Sequence, residues 1–434
     1  MLEGYEGELR RILESKNIDV GDLIEVSSKG YSYTGILMPR YQIFESNYLT
    51  LKLSNGYNIG IKYDNSVEIK LLEKAKKKEE VLQEEIEEGE IVLIGTGGTI
   101  LSRIDYRTGA VKPSYNIEDL IELIPEAKSK RVKMIELFKM FSEDMQAENY
   151  EILSHKIYEE INKGAKGIIV THGTDTLGLT SAALSFALQN LPYPIALVGA
   201  QRSLDRPSSD AALNLRSAFT FVTKSKYSGV FVVMHSTTSD LSCDVILGTR
   251  ARKNHTSRRD AFKSINREIV ARIIGQNIEY IDVSGLKEVG EREIKLMNKF
   301  ERKVFLLKTF PGISSEFLEF IVDKGYRGIL IEGTGLGHVP RTLIEGIKYA
   351  INKGVFVALA SQCIWGRVNM NVYERGRELL KIGVLGSADM FAETAFIKMM
   401  WSLGNAKDIE EAKSLYLTNI AGEISERSFF KYGN

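Results

Sequence analysis

The chain has 434 residues, 44% of them hydrophobic and 26% charged, and its 57 Lys and Arg balance 57 Asp and Glu. This is the profile of a soluble globular protein too long for one core, and it predicts roughly two to four domains. Zero net charge excludes a whole-chain basic field for gripping nucleic acid, and two cysteines, Cys243 and Cys363, exclude a disulfide framework and fit a reducing cytosol.

Five histidines without a Cys-x-x-Cys or His-x-x-x-His pair predict no metal site. The N-terminus, Met1 to Glu6, carries acidic residues and no apolar signal region, and no apolar run reaches the ~20 residues that span a bilayer. A cytoplasmic location follows as an expectation.

Residues 1–20 read as a short amphipathic helix with Leu9, Ile12 and Leu13 on one side. Short β runs follow at 23–26, 33–38, 48–53, 57–61 and 67–69, with Asn55-Gly56 as a hairpin turn between the third and fourth. Strands this short, with no helices between them, predict a small SH3-like β-barrel over 1–72, a docking module rather than a catalytic one. Residues 73–89 are rich in Lys and Glu and predict a solvated, helix-capable linker.

From residue 90 the pattern turns to α/β. Apolar runs at 91–94, 132–137, 167–171, 194–200 and 229–235 alternate with helical stretches at 149–163, 176–190 and 209–221. Ser209 and Asp210 are candidate N-caps of the third stretch. Such alternation implies a mostly parallel sheet covered on both faces, here over 90–290. The charged stretch 286–293 marks a boundary to a smaller α/β domain over 291–434, with strands at 303–307, 328–332 and 355–360 and final helices at 388–403 and 409–416.

The first apolar run ends in Gly95-Thr96-Gly97-Gly98-Thr99-Ile100, which presents the Thr99 hydroxyl at the carboxyl end of a strand, where open α/β sheets bind ligands. It is not a dinucleotide fingerprint, because Ile100 stands where the third glycine belongs, and it is not a P-loop, because no Lys follows the glycines. The run 167–171 ends in His172-Gly173-Thr174-Asp175-Thr176 at a helix start. Asp175 there either caps the helix or binds an ammonium while neighbouring N–H groups hold an oxyanion.

Thr96-Gly97-Gly98-Thr99-Ile100 and Thr171-His172-Gly173-Thr174-Asp175-Thr176 resemble the two signature motifs of the L-asparaginase/glutaminase family. Phe141-Ser142-Glu143-Asp144-Met145, Gly199-Ala200-Gln201-Arg202, Ser209 to Leu215, Lys253, Phe310-Pro311-Gly312 and Glu332 to Pro340 match further segments of that family in order. The resemblance covers about residues 90–425 and implies two asparaginase-like α/β domains. A plain asparaginase does not usually carry residues 1–89. With them the chain resembles the asparaginase-like subunits of tRNA-dependent amidotransferases. That implies an ammonia-releasing subunit that hydrolyses glutamine or asparagine for a partner subunit holding tRNA, ATP and Mg²⁺, and a homodimeric core.

Amide hydrolysis needs a nucleophile, a proton acceptor and an oxyanion hole. The resemblance assigns Thr99 as the attacking hydroxyl, with Thr174, Asp175 and Lys253 as a polar relay that activates either the nucleophile or the deacylating water. N–H groups near Gly98 and Thr174 would hold the oxyanion, with Gly173 in the same turn. Ser142 would bind the substrate α-carboxylate, Asp175 its ammonium, and Tyr106 would hydrogen-bond Thr99. Glu143 stands where many asparaginases have glutamine. Lys253 sits among Arg250, Arg252, Arg258 and Arg259, and crowded positive charge is expected to favour its neutral form; the arginines could equally contact a partner or tRNA phosphate. A free-standing asparaginase with an added N-terminal domain and an inactive docking scaffold are the alternatives.

Overall fold

Five closely spaced strands that alternate apolar and polar residues pair with one another. The computed structural model describes residues 2, 4–39, 47–54, 57–75, 90–98, 100, 102–104, 111–113, 118–121, 123–204, 206 and 208–428; the Asn55-Gly56 turn and most of the expected linker, 76–89, lie outside them. Helix α1 (Gly7–Ser15) precedes β1 (Leu23–Ser28), β2 (Tyr31–Leu37), β3 (Tyr48–Leu53), β4 (Asn58–Lys62) and β5 (Glu68–Glu73). They form an antiparallel sheet in the order β4-β3-β2-β1-β5, with no closing pair among the described residues. Leu9 and Leu13 of α1 pack with Tyr5 on Ile24, Val26, Leu37, Leu49 and Leu51, a core separate from the rest of the chain. The Tyr5 hydroxyl donates to the Met38 carbonyl at 2.8 Å and accepts from the Thr50 N–H at 3.3 Å, so this buried hydroxyl ties α1 to the sheet.

The next unit contains β6 (Ile91–Gly97), β7 (Ser102–Ile104), β8 (Val111–Pro113), α2 (Glu118–Ile121), β9 (Val132–Met140), α3 (Ala147–Asn162), β10 (Gly167–Thr171), α4 (Leu177–Ala187), β11 (Leu188–Gln189), β12 (Pro194–Val198), α5 (Ala211–Lys224) and β13 (Tyr227–His235). Strands β9-β6-β10-β12-β13 are parallel neighbours in that order. Alternate residues explain why the runs are apolar throughout. Val92, Ile94, Ile168 and Val170 pack on Leu153, Ile157, Leu177 and Leu184 of α3 and α4, whereas Ile91, Leu93 and Ile169 pack on the opposite face with Leu215, Ala218 and Phe221 of α5. Because β9 and β10 flank β6 on opposite sides, the strand order reverses there, which opens a crevice at the carboxyl ends of β6 and β10.

Beyond β13 the sheet continues with β14 (Cys243–Leu247), β17 (Ala271–Ile274) and β18 (Asn277–Tyr280), all antiparallel to their neighbours. A separate hairpin, β15 (Ala251–Lys253) and β16 (Phe262–Ser264), leaves β14. Sequence periodicity points to none of these three added strands. The charged stretch at 286–293 stays on this unit: β19 (Lys287–Glu288) pairs with β13, and β20 (Lys295–Leu296) pairs with β11. That second pairing is why α4 stops at Ala187 and does not run to 190.

The C-terminal unit is a sheet of β21 (Val304–Lys308), β22 (Gly328–Gly333), β23 (Phe356–Ser361) and β24 (Leu385–Gly386), parallel and in sequence order, so it has no reversal. Helices α6 (Glu316–Asp323), α7 (Ile344–Asn352), α8 (Glu374–Lys381), α9 (Ala392–Asn405) and α10 (Ile409–Leu417) cover it. Helix α9 begins at Ala392, not at 388, because Ala388 takes a left-handed φ of 53° that an α-helix excludes.

Helix α4 lies between the two sheets and is buried from Thr180 to Ala187. Ala182, Ala183 and Ala187 let it approach α9 closely, and Phe186 meets Trp401 with ring centroids 5.9 Å apart. The Trp401 indole N–H donates to the Met297 carbonyl at 2.7 Å. Phe186→Ala is expected to destabilise the chain by about 3–5 kcal/mol, read as a lowered denaturant midpoint with the two large domains no longer unfolding together.

Candidate active site

Three loops meet at the carboxyl edge where the strand order reverses: those after β6, β9 and β10. Their approach is set by glycines. Gly97 and Gly98 have φ of 101° and 80°, and a Cβ at Gly98 would lie 2.3 Å from the Gly173 nitrogen. A Cβ at Gly97 would lie 2.3 Å from the Met140 carbonyl oxygen, and one at Gly173 would lie 2.6 Å from Ser142 Cβ. The Gly98 N–H donates to the Met140 carbonyl at 3.2 Å, and Thr96 Oγ1 donates to the Thr171 carbonyl at 2.8 Å. The Gly98 turn, the Ser142 turn and the Gly173-Thr174 turn therefore form one packed surface. Thr99 and Tyr106 lie outside the described residues, and Gly98 fixes where the chain leaves toward Thr99.

Thr174 and Asp175 extend from this surface. Lys253, at the end of the first strand of the β15–β16 hairpin, reaches across with its ammonium 2.9 Å from Thr174 Oγ1 and 2.9 Å from Asp175 Oδ1. The Lys253 side chain is 13% exposed while that of Asp175 is 67% exposed, so the pair spans the boundary between the packed turn and open solvent. Asp175 does not cap α4: the N-cap position is Thr176, without a side-chain cap, and the Asp175 carboxylate is turned to Lys253. Thr176 Oγ1 donates to the Ser142 carbonyl at 2.5 Å, which holds the turn after β9. Ser142 is buried on that turn, whereas Glu143 beside it is exposed.

The arginines around Lys253 do not form a crowd of uncompensated charge. Arg250 is fully buried and donates to Asp389 Oδ2 at 2.9 Å, to the Gly422 carbonyl at 2.9 Å and to Ser425 Oγ at 2.9 Å. Arg252 pairs with Glu393, Arg258 with Asp260 and Arg259 with Asp240. Each of these arginines has its own carboxylate, and burial withdraws Arg250 from any contact with tRNA.

His172, next to the turn, serves inside the fold. The Gly173 carbonyl can only accept, so His172 Nδ1 carries the proton and donates to it at 2.8 Å, and Nε2 accepts from the Thr180 hydroxyl at 2.9 Å. The Tyr150 hydroxyl hydrogen-bonds Thr180 in turn, and burial pushes Tyr150 up to about 12. Burial also pushes His172 down to about 4. Tyr150 and Thr180 are invisible to motif reading because they lie on the buried faces of helices. The Asp210 side chain likewise does not cap α5; it accepts from the Gln201 and Arg202 N–H groups, both at 3.0 Å, and so folds the loop after β12, and burial raises its carboxyl despite those donors. No group of three or more His, Cys, Asp and Glu residues suited to a metal ion occurs among the described residues, and no described helix is long and apolar enough to cross a membrane.

The chain is similar to known proteins along most of its length. Residues 90–284 match the family model for the asparaginase N-terminal domain, 303–416 that for the glutaminase/asparaginase C-terminal domain, and 18–72 that for the GatD N-terminal domain. The D-type subunit of the glutamyl-tRNA(Gln) amidotransferase of Pyrococcus abyssi is 48% identical over 429 residues, covering 96% of this chain and 98% of that one. Its counterpart in Sulfolobus acidocaldarius is 44% identical over 98% of this chain and 96% of its own. Among solved structures, the L-asparaginase of Thermococcus kodakarensis superposes with a TM-score of 0.70 at 31% identity, covering 78% of this chain and 99% of that chain.

The His172 proton gives a test of how this turn is held. The unfolded chain binds it near 6.5 and the folded chain only near 4, so its contribution is complete above pH 6.5 and is lost as pH falls toward 4. His172→Gln is expected to remove on the order of 3 kcal/mol of this pH dependence, measured as the difference between the two chains' unfolding free energies across that window.

Proposed function

The chain belongs to the family of D-type subunits of glutamyl-tRNA(Gln) amidotransferase, built on the asparaginase fold, and from that premise we propose that it is the ammonia-releasing subunit of such an enzyme. It hydrolyses the side-chain amide of glutamine or asparagine and supplies ammonia for converting Glu-tRNA(Gln) to Gln-tRNA(Gln). The observation that carries this reading is the Lys253 ammonium bridging Thr174 Oγ1 and Asp175 Oδ1 where the strand order reverses. A hydroxyl held by lysine beside a carboxylate is the equipment of acyl transfer.

In this reading the Thr99 hydroxyl attacks the amide carbon and forms an ester as the carbon–nitrogen bond breaks. The proton that Thr99 loses reaches the leaving nitrogen, so ammonia departs neutral. A water then attacks the ester, and Thr99 regains its proton as the free acid leaves. Thr174 and Lys253 carry the proton in one or both steps, with Lys253 accepting in its amine form and Asp175 holding the charge it acquires. Backbone N–H groups near Gly98 and Thr174 stabilise the oxyanion, other than that of Gly98 itself, which is given to the Met140 carbonyl, and the two turns are fixed by the contact between Gly98 and Gly173. Ser142 takes the substrate carboxylate and Asp175 its ammonium, with Gly173 and Glu143 on the pocket wall and Tyr106 on Thr99.

Such a chain works with a tRNA-binding amidotransferase partner of the E type, which carries the ATP and Mg²⁺, around a homodimeric core in a cytoplasmic heterotetramer. The zero net charge of this chain suits leaving most tRNA contact to the partner.

Lys253→Met is expected to lower glutamine hydrolysis by about 10²–10⁴-fold, measured as ammonia release by the chain with its partner subunit and charged tRNA. Ammonia release that is equally rapid without partner and tRNA would point to a free-standing asparaginase instead. Thr99→Ala is expected to abolish both hydrolysis and Gln-tRNA(Gln) formation from glutamine while leaving formation from added ammonium intact. Undiminished hydrolysis in that variant would remove Thr99 from the mechanism.

A further inference from the structure

The N-terminal β unit touches the asparaginase-like body beside the candidate site. Asn58, at the start of β4, is fully buried in the joint. Its Nδ2 donates to the Leu204 carbonyl at 2.5 Å and to the Arg206 carbonyl at 2.7 Å, and its backbone carbonyl accepts from the Ser208 N–H at 2.6 Å. Those residues belong to the loop after β12, the same loop whose start is folded onto the Asp210 carboxylate.

The neighbouring Tyr57 enters a second line of contacts. Asn214 on α5 donates through Nδ2 to the Gly199 carbonyl at 3.0 Å and to Asp210 Oδ2 at 3.1 Å, which fixes its amide orientation. Asn214 Oδ1 must then accept, and His235 Nδ1 is 2.6 Å away, so the proton of His235 sits on Nδ1. Burial lowers the His235 pKa and favours the neutral ring, which leaves Nε2 as an acceptor. The Tyr57 hydroxyl lies 3.4 Å from it and also hydrogen-bonds Asp240, which is paired with Arg259 and is 3.5 Å from the same nitrogen. At the far end of the line, Gly199 lies directly against the catalytic turn. A Cβ there would be 2.8 Å from the His172 carbonyl oxygen and 2.9 Å from Thr174 Cγ2.

We propose that His235 and Asn214 are positioning residues for hydrolysis, set by the N-terminal β unit through Tyr57, so that the seating of that unit fixes the Gly199 turn behind Thr174. This rests on the catalytic role given to Thr174 and Lys253 above. The line runs Tyr57 O–H to His235, His235 N–H to Asn214, Asn214 N–H to Gly199 and Gly199 against Thr174, with Asn58 clamping the loop in between. A displaced β unit leaves the His235 nitrogen and the loop carbonyls to find other partners, and the Thr174 hydroxyl loses the backing that holds it on Lys253. The joint thereby gives an otherwise non-catalytic unit a hold on the rate of ammonia release.

The test is glutamine hydrolysis by the full chain with its partner subunit and tRNA. Tyr57→Phe and His235→Leu are each expected to lower kcat about fivefold, the effect of one net hydrogen bond, with KM unchanged. His235→Asn, whose amide replaces the Nδ1–H donor to Asn214 but not the Nε2 acceptor for Tyr57, is expected to be as slow as Tyr57→Phe, and adding Tyr57→Phe to it is expected to lower kcat no further. A parental kcat in Tyr57→Phe or in a folded His235→Leu overturns the proposal, as does a parental kcat in His235→Asn or a further loss when Tyr57→Phe is added to it. If His235→Leu fails to fold, Tyr57→Phe and His235→Asn decide by the same criteria. An active Lys253→Met chain defeats the catalytic assignment instead, so the two failures are told apart.

Discussion

Backbone touching backbone at Gly98 and Gly173 is the constraint on which the site depends. Only hydrogens fit between the two turns, since a Cβ at Gly98 would stand 2.3 Å from the Gly173 nitrogen. Without that approach the glycine turn after β6 and the Thr174-Asp175 turn after β10 would be separate loops. With it they share one surface, and Ser142 joins because Gly173 leaves room for its side chain and Thr176 holds its carbonyl. The reversal in strand order creates the crevice, and glycine allows three loops to fill its floor.

Support for that floor comes from unlike sources on its different sides. Beneath the Thr174 turn, His172 spends both ring nitrogens on the fold, one on the Gly173 carbonyl and one on Thr180. A carbonyl drawn inward toward His172 turns the N–H of the same peptide, that of Thr174, the opposite way. On the side of Lys253 the support is electrostatic. Arg250, one residue before the β15 hairpin, is anchored to Asp389 and to the C-terminal segment at Gly422 and Ser425. The same segment is held by a buried pair, Lys398 with Glu423, whose carboxylate also accepts from the Ile420 and Ala421 N–H groups. The C-terminal domain thus contributes to the candidate site without supplying a residue to the Lys253 contact: it fixes the base of the hairpin from which Lys253 projects.

Helix α4 makes this mechanically continuous. It starts at the Thr174-Asp175 turn, is buried by alanines and Phe186, and packs on α9 of the C-terminal domain. Its small residues trade side-chain burial for close helix approach, and Phe186 against Trp401 recovers apolar contact at the end of the seam. The N-terminal β unit meets the same edge of the sheet from the other side, through Tyr57 and Asn58. Three separately packed units therefore converge on one loop cluster.

The local and the chemical parts of this protein are written in its residues. Period-two and unbroken apolar runs mark which strands are half-buried and which are covered on both faces, because side-chain alternation is a local property. The glycine turn at 95–98 and the polar turn at 172–176 are legible because turn geometry demands particular residue types, whereas Lys253, one cation among several, is singled out by the family resemblance alone. Which distant groups meet is a matter of the folded chain alone. Lys253 reaches Thr174 across 79 residues, and Tyr57 reaches His235 across 178. Folding also neutralises four arginines one by one, turns Asp175 to Lys253 instead of to the end of α4, and sets Asp210 to fold a loop instead of capping α5. A charged or polar side chain carries no mark of its partner along the chain. Its role is set by whichever donor or acceptor the folded backbone brings within about 3 Å, and that distance exists only after the sheets have closed.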